Sequence, residues 1–175
     1  MEELFGISYS REEDRWNMNK NDTLIYDFNE HGLYYKTKDY NRRRITFAIG
    51  TIEMDFDYDT GKLLTVTAFL PLIKAKRQLI SMPIYVEDDF HISVEGLEYS
   101  PGIAYDYSVR FFESKNYFLK DSLPRVYYDE INKRILIGTQ SSSDRSIRIN
   151  KHLICGLDKK ENLKYLLISP DIIID

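Results

Sequence analysis

Cysteine is almost absent from this chain: one residue, Cys155, in 175. A disulfide framework is therefore excluded, and a reducing compartment, the cytoplasm, is the expected location. Long apolar runs are missing too. The longest, "LLTVTAFLPLI" from Leu63 to Ile73, falls far short of the ~20 residues a membrane-spanning helix needs. The first residues, "MEELFGISYS", are acidic where a secretion signal needs a basic start and an apolar core, so neither export nor a membrane partner is expected. His31, His91 and His152 show no metal-ligand spacing with Cys or Glu, and no Gly-rich phosphate loop occurs, so no metal or cofactor is expected. No Pro-, Gly- or Ser-rich linker interrupts the chain, and residues 1–175 read as one domain. The net charge of −4 gives no general attraction to nucleic acid.

What is present points to strands. Hydrophobic residues make up 43% and charged residues 30%, a globular balance, while 14 Tyr and 9 Phe with many Ile, Val and Thr favour β structure. One short N-terminal helix is expected, because Ser10 and Glu13 in "SREEDRWNM" form a capping box. After it, strand-length runs alternate with polar turns: "DTLIYDF", "LYYKTK", "RITFAIG", "TIEMDFDY", "LLTVTAFL", "LISMPIYV", and later "RVYYDE", "RILIGTQ", "SIRIN", "HLICGLD" and "LKYLLI". The expected fold is mainly β, an antiparallel sandwich or open barrel.

Two related β-rich halves are also expected. Offsetting the chain by 69 positions sets "LEYSPGI" beside "LLISPDI", and with small insertions "FDYDTGKLL" lies beside "VYYDEINKRIL", so that Asp59 meets Asp129. The repeated unit would span about 51–103 and 123–172.

"DFDYDTGKL" (55–63) invites chemistry. It resembles the D-x-D-G-T motif of haloacid-dehalogenase phosphatases, which would make Asp57 a nucleophile and Asp59 a general acid. Thr and Gly stand in the reverse order, however, and the preceding strand alternates where that family has a continuous apolar run. A calcium loop starting at Asp55 would need Gly and Glu where Thr60 and Val66 stand. The reading that fits is a hairpin: Ile52, Met54, Phe56 and Tyr58 on one face, Glu53, Asp55, Asp57 and Asp59 on the other, and Gly61 in the turn.

Other constellations fail on strand geometry. Asp106 with Glu113 and Lys115 resembles a metal-dependent nuclease motif, and His152 with Cys155 a thiol dyad, yet odd spacing puts each pair on opposite faces. Arg42, Arg43 and Arg44, near Tyr40 and Phe47, are a secondary candidate for nucleic acid, weaker than their pairing with the acidic row. The expected function is therefore non-catalytic: a cytoplasmic protein-binding module, of inhibitor or immunity type, docking a basic partner through Glu53, Asp55, Asp57 and Asp59. The alternative is a small-molecule or carbohydrate site, or a hydrolase, in a tyrosine-lined cleft between the halves, built from "IAYDY" and "RVYY".

Overall fold

Alternation in "RITFAI" and "IEMDFD" sends Ile45, Phe47, Ile49, Ile52, Met54 and Phe56 into the core and leaves Arg44, Thr46 and Glu53 on the other face, as an antiparallel pair. The computed structural model describes residues 23–36, 43–92, 104–106 and 125–175. Its strands are β1 (Thr23–Asp27), β2 (Gly32–Lys36), β3 (Arg44–Ile49), β4 (Ile52–Asp57), β5 (Leu63–Phe69), β6 (Lys76–Arg77), β7 (Val86–Glu87) and β8 (Ala104–Asp106). They continue as β9 (Val126–Asp129), β10 (Arg134–Gly138), β11 (Arg145–Arg148), β12 (Leu153–Leu157), β13 (Leu163–Ile168) and β14 (Ile172–Ile174). The expected N-terminal helix lies outside the described residues. Among those described there is no α-helix, only single 3-10 turns at Leu72–Lys74 and Gln140–Ser142.

The strands form two sheets on one plan, in the orders β14-β1-β2-β5-β4-β3-β8 and β6-β9-β10-β13-β12-β11-β7. The sequence suggested antiparallel pairing, and the hairpin strands obey it. The outermost pairs are parallel instead: β14 on β1, β8 on β3, β6 on β9 and β7 on β11. The sheets are therefore mixed, because each edge strand enters by a crossing connection and not by a hairpin. Strands β1–β5 and β9–β13 occupy matching places, so the plan sets 23–69 beside 126–168, spans that differ from the 51–103 and 123–172 of the sequence alignment. Matching detail extends to a one-residue irregularity at Asp55/Phe56 against β5 and at Gly156/Leu157 against β13.

The sheets face each other across one core that mixes Leu24, Phe47, Met54, Phe56 and Val66 with Ile135, Ile147, Cys155, Leu166 and Ile168. A second, smaller cluster lies on the outer face of the second sheet, where Ile80 sits on Leu136, Ile154, Tyr165 and Leu167. Ile80 belongs to the segment joining β6 to β7, which occupy opposite edges of that sheet. Six interstrand spacings of about 4.8 Å make about 29 Å, and the nine steps from Arg77 to Val86 reach about 30 Å when extended. The connection is thus a strap across the outer face at nearly full stretch.

Tyr165 forms part of the floor under the strap. Its ring lies where a Cβ on Gly156 would be, and its hydroxyl is 2.6 Å from Ser146 Oγ. Gly156→Ala is expected to destabilise the protein by about 1–3 kcal/mol through overpacking. A urea unfolding midpoint that falls at unchanged slope would bear this out; an unmoved midpoint would contradict it.

Candidate functional site

The acidic row lies on β4 and its turn, and its members have different fates. Asp57 is buried, and its Oδ1 accepts from Asp59 N (3.0 Å), Thr60 N (2.8 Å) and Thr60 Oγ1 (3.0 Å). Asp55 accepts from Thr46 Oγ1 (2.6 Å) and Thr65 Oγ1 (3.1 Å), its neighbours on β3 and β5, and lies 3.7 Å from Arg44 Nη1. Asp59 pairs with Arg43, whose guanidinium also covers the Tyr58 ring at 5.1 Å. Glu53 is exposed. Strict alternation would have exposed Asp57. Asp57 keeps its place on the face opposite Phe56, in unbroken register with Arg44, and is buried there because its carboxylate folds over the closing turn onto Asp59 and Thr60.

The same device recurs in the β1–β2, β9–β10 and β12–β13 hairpins. Asp27 accepts from Asn29 N and Glu30 N, Asp129 from Ile131 N and Asn132 N, and Asp158 from Lys160 N and Asn162 N. A residue of positive φ follows each: His31, Gly61, Lys133 and Glu161. Asp57, and not Asp59, makes the bonds that Asp129 makes. Comparing "YDFNEHG", "FDYDTGK", "YDEINKR" and "LDKKEN" with each other carried that signal in the sequence.

The turn is clamped from outside by 88–92. Leu63 N donates to Phe90 O (2.8 Å) and Ile92 N to Gly61 O (2.9 Å), so Gly61, at φ 70°, has no room for a side chain. Beside it Lys62 Nζ meets Asp89 Oδ1 at 2.8 Å, and His91 Nε2 stands 3.9 Å from Asp89 Oδ2. The Asp89 carboxylate raises the His91 pKa against the opposing effect of burial.

The remaining candidates are dispersed. Arg42 lies outside the described residues, as do Glu113 and Lys115; Arg43 and Arg44 are both engaged with carboxylates of the acidic row. Cys155 is buried in the core, which pushes its thiol pKa far up. His152 turns instead to Asp171, with Nε2 3.2 Å from Oδ2, tying the start of β14 to β12. Tyr128 is buried between the sheets while Tyr127 packs in the outer cluster, so the two tyrosines of "RVYY" face opposite ways. Among the described residues no group of His, Cys, Asp and Glu could hold a metal ion.

The strap presents a different surface. Its underside is fixed: Ile80 is 3% exposed, Ile80 N donates to Asp129 Oδ2 (2.9 Å), Arg134 donates to Ile80 O (2.9 Å), Gln140 to Ser81 O (3.0 Å) and Arg148 to the Tyr85 hydroxyl (2.9 Å). Burial alone would raise the Asp129 pKa, but the bonds from Asn132, Ile80 and Ile131 outweigh it and hold the carboxyl at about 2. Its upper side is apolar and open, with Leu79 70%, Met82 45%, Ile84 99% and Val86 55% exposed. From 82 to 86 exposure alternates as in a strand, with Pro83 half-buried and Tyr85 packed on the outer cluster of the sheet.

The sequence matches no protein-family model and no curated protein. Geometry alone therefore separates architecture from function.

Two outcomes follow from these assignments. Asp57→Ala should cost about 1–3 kcal/mol, since it removes a buried carboxylate that accepts three bonds closing the turn, whereas Asp59→Ala at an exposed pair should cost under about 1 kcal/mol. Equal urea midpoints for the two variants would contradict the division. For His91, whose folded pKa is raised, the stabilisation is complete below the unfolded value of about 6.5 and is lost as pH rises through the folded value. Unfolding curves of wild type should approach those of His91→Gln across that interval; a constant difference would count against the Asp89 contact.

Proposed function

We propose that the chain is a non-catalytic protein-binding module of inhibitor type, docking through the upper side of the strap. The observation that carries this is Ile84: a large aliphatic side chain 99% exposed, on a segment held at full stretch by side chains of the sheet beneath. Isolated apolar residues on a surface are ordinary, but Leu79, Met82, Ile84 and Val86 fall within eight positions of one line. Preorganisation favours binding, because little conformational entropy remains to be lost on association.

The acidic strand face expected from the sequence contributes less to this reading. Asp57 serves the turn, Asp55 lies between two threonines and the exposed Asp59 pairs with Arg43, which leaves Glu53 as the exposed member without an ion pair among the described residues. A basic partner reaching that face would compete with Arg43 and Arg44 for their carboxylates.

Cross-linking in cells followed by partner identification tests the assignment. Leu79→Asp and Ile84→Asp should each reduce recovery of the partner at least about tenfold, while Glu53→Lys leaves it unchanged. The reverse pattern would return the docking surface to the acidic strand.

A further inference from the structure

We infer that a second copy of the chain covers the ridge, with the two straps packed face to face and running in opposite directions about a twofold axis. The inference rests on the reading of the strap as the docking surface and names what docks there. Charges around the strap nearly balance, so the ridge selects no partner of one sign; they are divided by end instead. Lys74, Lys76 and Arg77 gather at the β6 end, and Glu87, Asp88 and Asp89 at the β7 end. Of these, Lys76 and Glu87 stand on the strap's own face of the sheet. Lys76 is opposite Tyr127 in the β6–β9 ladder, and Glu87 is opposite Arg148 in the β7–β11 ladder. Tyr127 packs in the outer cluster, and Arg148 donates to the hydroxyl of Tyr85 in that same cluster. Residues opposite each other in a ladder share a face. The exposed Lys76 and Glu87 therefore mark the two ends of the ridge, six strand spacings or about 29 Å apart. Among the described residues Lys76 has no carboxylate within ion-pair distance, and Glu87 reaches Arg148 at 3.7 Å.

Symmetry decides how two such faces meet. Contact between identical faces is isologous, with the twofold axis lying in the plane of the interface. An axis along the strap would set Lys76 against Lys76 and Glu87 against Glu87. An axis across it reverses the second strap and sets Lys76 of each copy against Glu87 of the other, attraction at both ends in place of repulsion. Between those ends Leu79, Met82 and Ile84 of one strap lie along the same residues of the other and leave water together. With Val86 at the β7 edge, these side chains expose roughly 500 Å² per copy, or roughly 1,000 Å² in the pair, near the lower bound of a specific interface. Such a dimer is reversible, and a copy held in it is closed to other partners.

The test is sedimentation equilibrium of the full chain between about 1 μM and about 1 mM. Wild type should pass from monomer to dimer as concentration rises. Ile84→Asp, Lys76→Glu and Glu87→Lys should each weaken the dimer at least about tenfold. An equimolar mixture of Lys76→Glu and Glu87→Lys should restore it, because the mixed pair again sets opposite charges together at both ends. All three substituted side chains are exposed, so the fold is spared, and circular dichroism checks it. Wild type that stays monomeric to about 1 mM would overturn the second copy as occupant. A dimer that ignores both charge reversals, or that the mixture fails to restore, would overturn the opposed arrangement of the straps. A dimer that survives Ile84→Asp would place the contact away from the ridge and overturn the inference as well. In each of these cases loss of partner recovery from cells by Ile84→Asp would still uphold the strap as a docking surface, so the two readings fail separately.

Discussion

The structure depends on one topological constraint: each half of the chain sends its next strand to the other sheet. After β5 the chain leaves the first sheet and lays β6 beside β9; after β13 it leaves the second and lays β14 beside β1. Polar side chains hold both crossings. The Tyr26 hydroxyl donates to Leu70 O (2.6 Å) and accepts from Leu72 N (3.2 Å) at the first, and Asp171 accepts from Leu24 N (3.0 Å) at the second. The exchange closes the shared core of the sandwich and fixes the path of the strap, because β7 must then be reached at the far edge of the second sheet. A chain forced over that face at full stretch can turn only some side chains down. Ile80 and Tyr85 find the cluster beneath; Leu79, Met82, Ile84 and Val86 have nowhere to go but outward.

The charges obey the same division. Carboxylates that look like a site in the sequence are occupied with backbone: Asp27, Asp57, Asp129 and Asp158 each close a hairpin, and Asp129 also receives the N–H of Ile80 and so anchors the strap. Charge-assisted bonds to backbone donors are stronger than neutral ones and hold these turns shut. Negative charge is thereby absorbed into architecture at the hairpins.

Much of the fold was legible because short alternating runs have one natural reading. "RITFAI" and "IEMDFD" could bury a face only as strands, and the pairing of Arg43 and Arg44 with Asp59 and Asp55 is the cross-strand neutralisation that their proximity suggested. Two features were hidden for physical reasons. Asp57 sits last before a turn, on the face that alternation assigns it, but the turn folds over its carboxylate, and burial by a turn is not visible in a period of two. "LISMPIYV" is extended and apolar and therefore reads as a strand, but only Val86 is in a ladder. Local pattern reports extension, whereas pairing depends on where the chain must travel. Its surplus of apolar residues on both faces, with Pro83 between them, was the available sign that one side would remain uncovered.

The central claim is that the strap is rigid while its apolar side is open to water, and backbone relaxation of residues 78–86 by nuclear magnetic resonance tests it most directly. A taut strap predicts order parameters near the ~0.85 of rigid backbone, with Ile84 no more mobile than β10 or β13. Values below about 0.6 across 81–85 would contradict it. They would describe a loose loop whose exposed side chains carry no preformed surface.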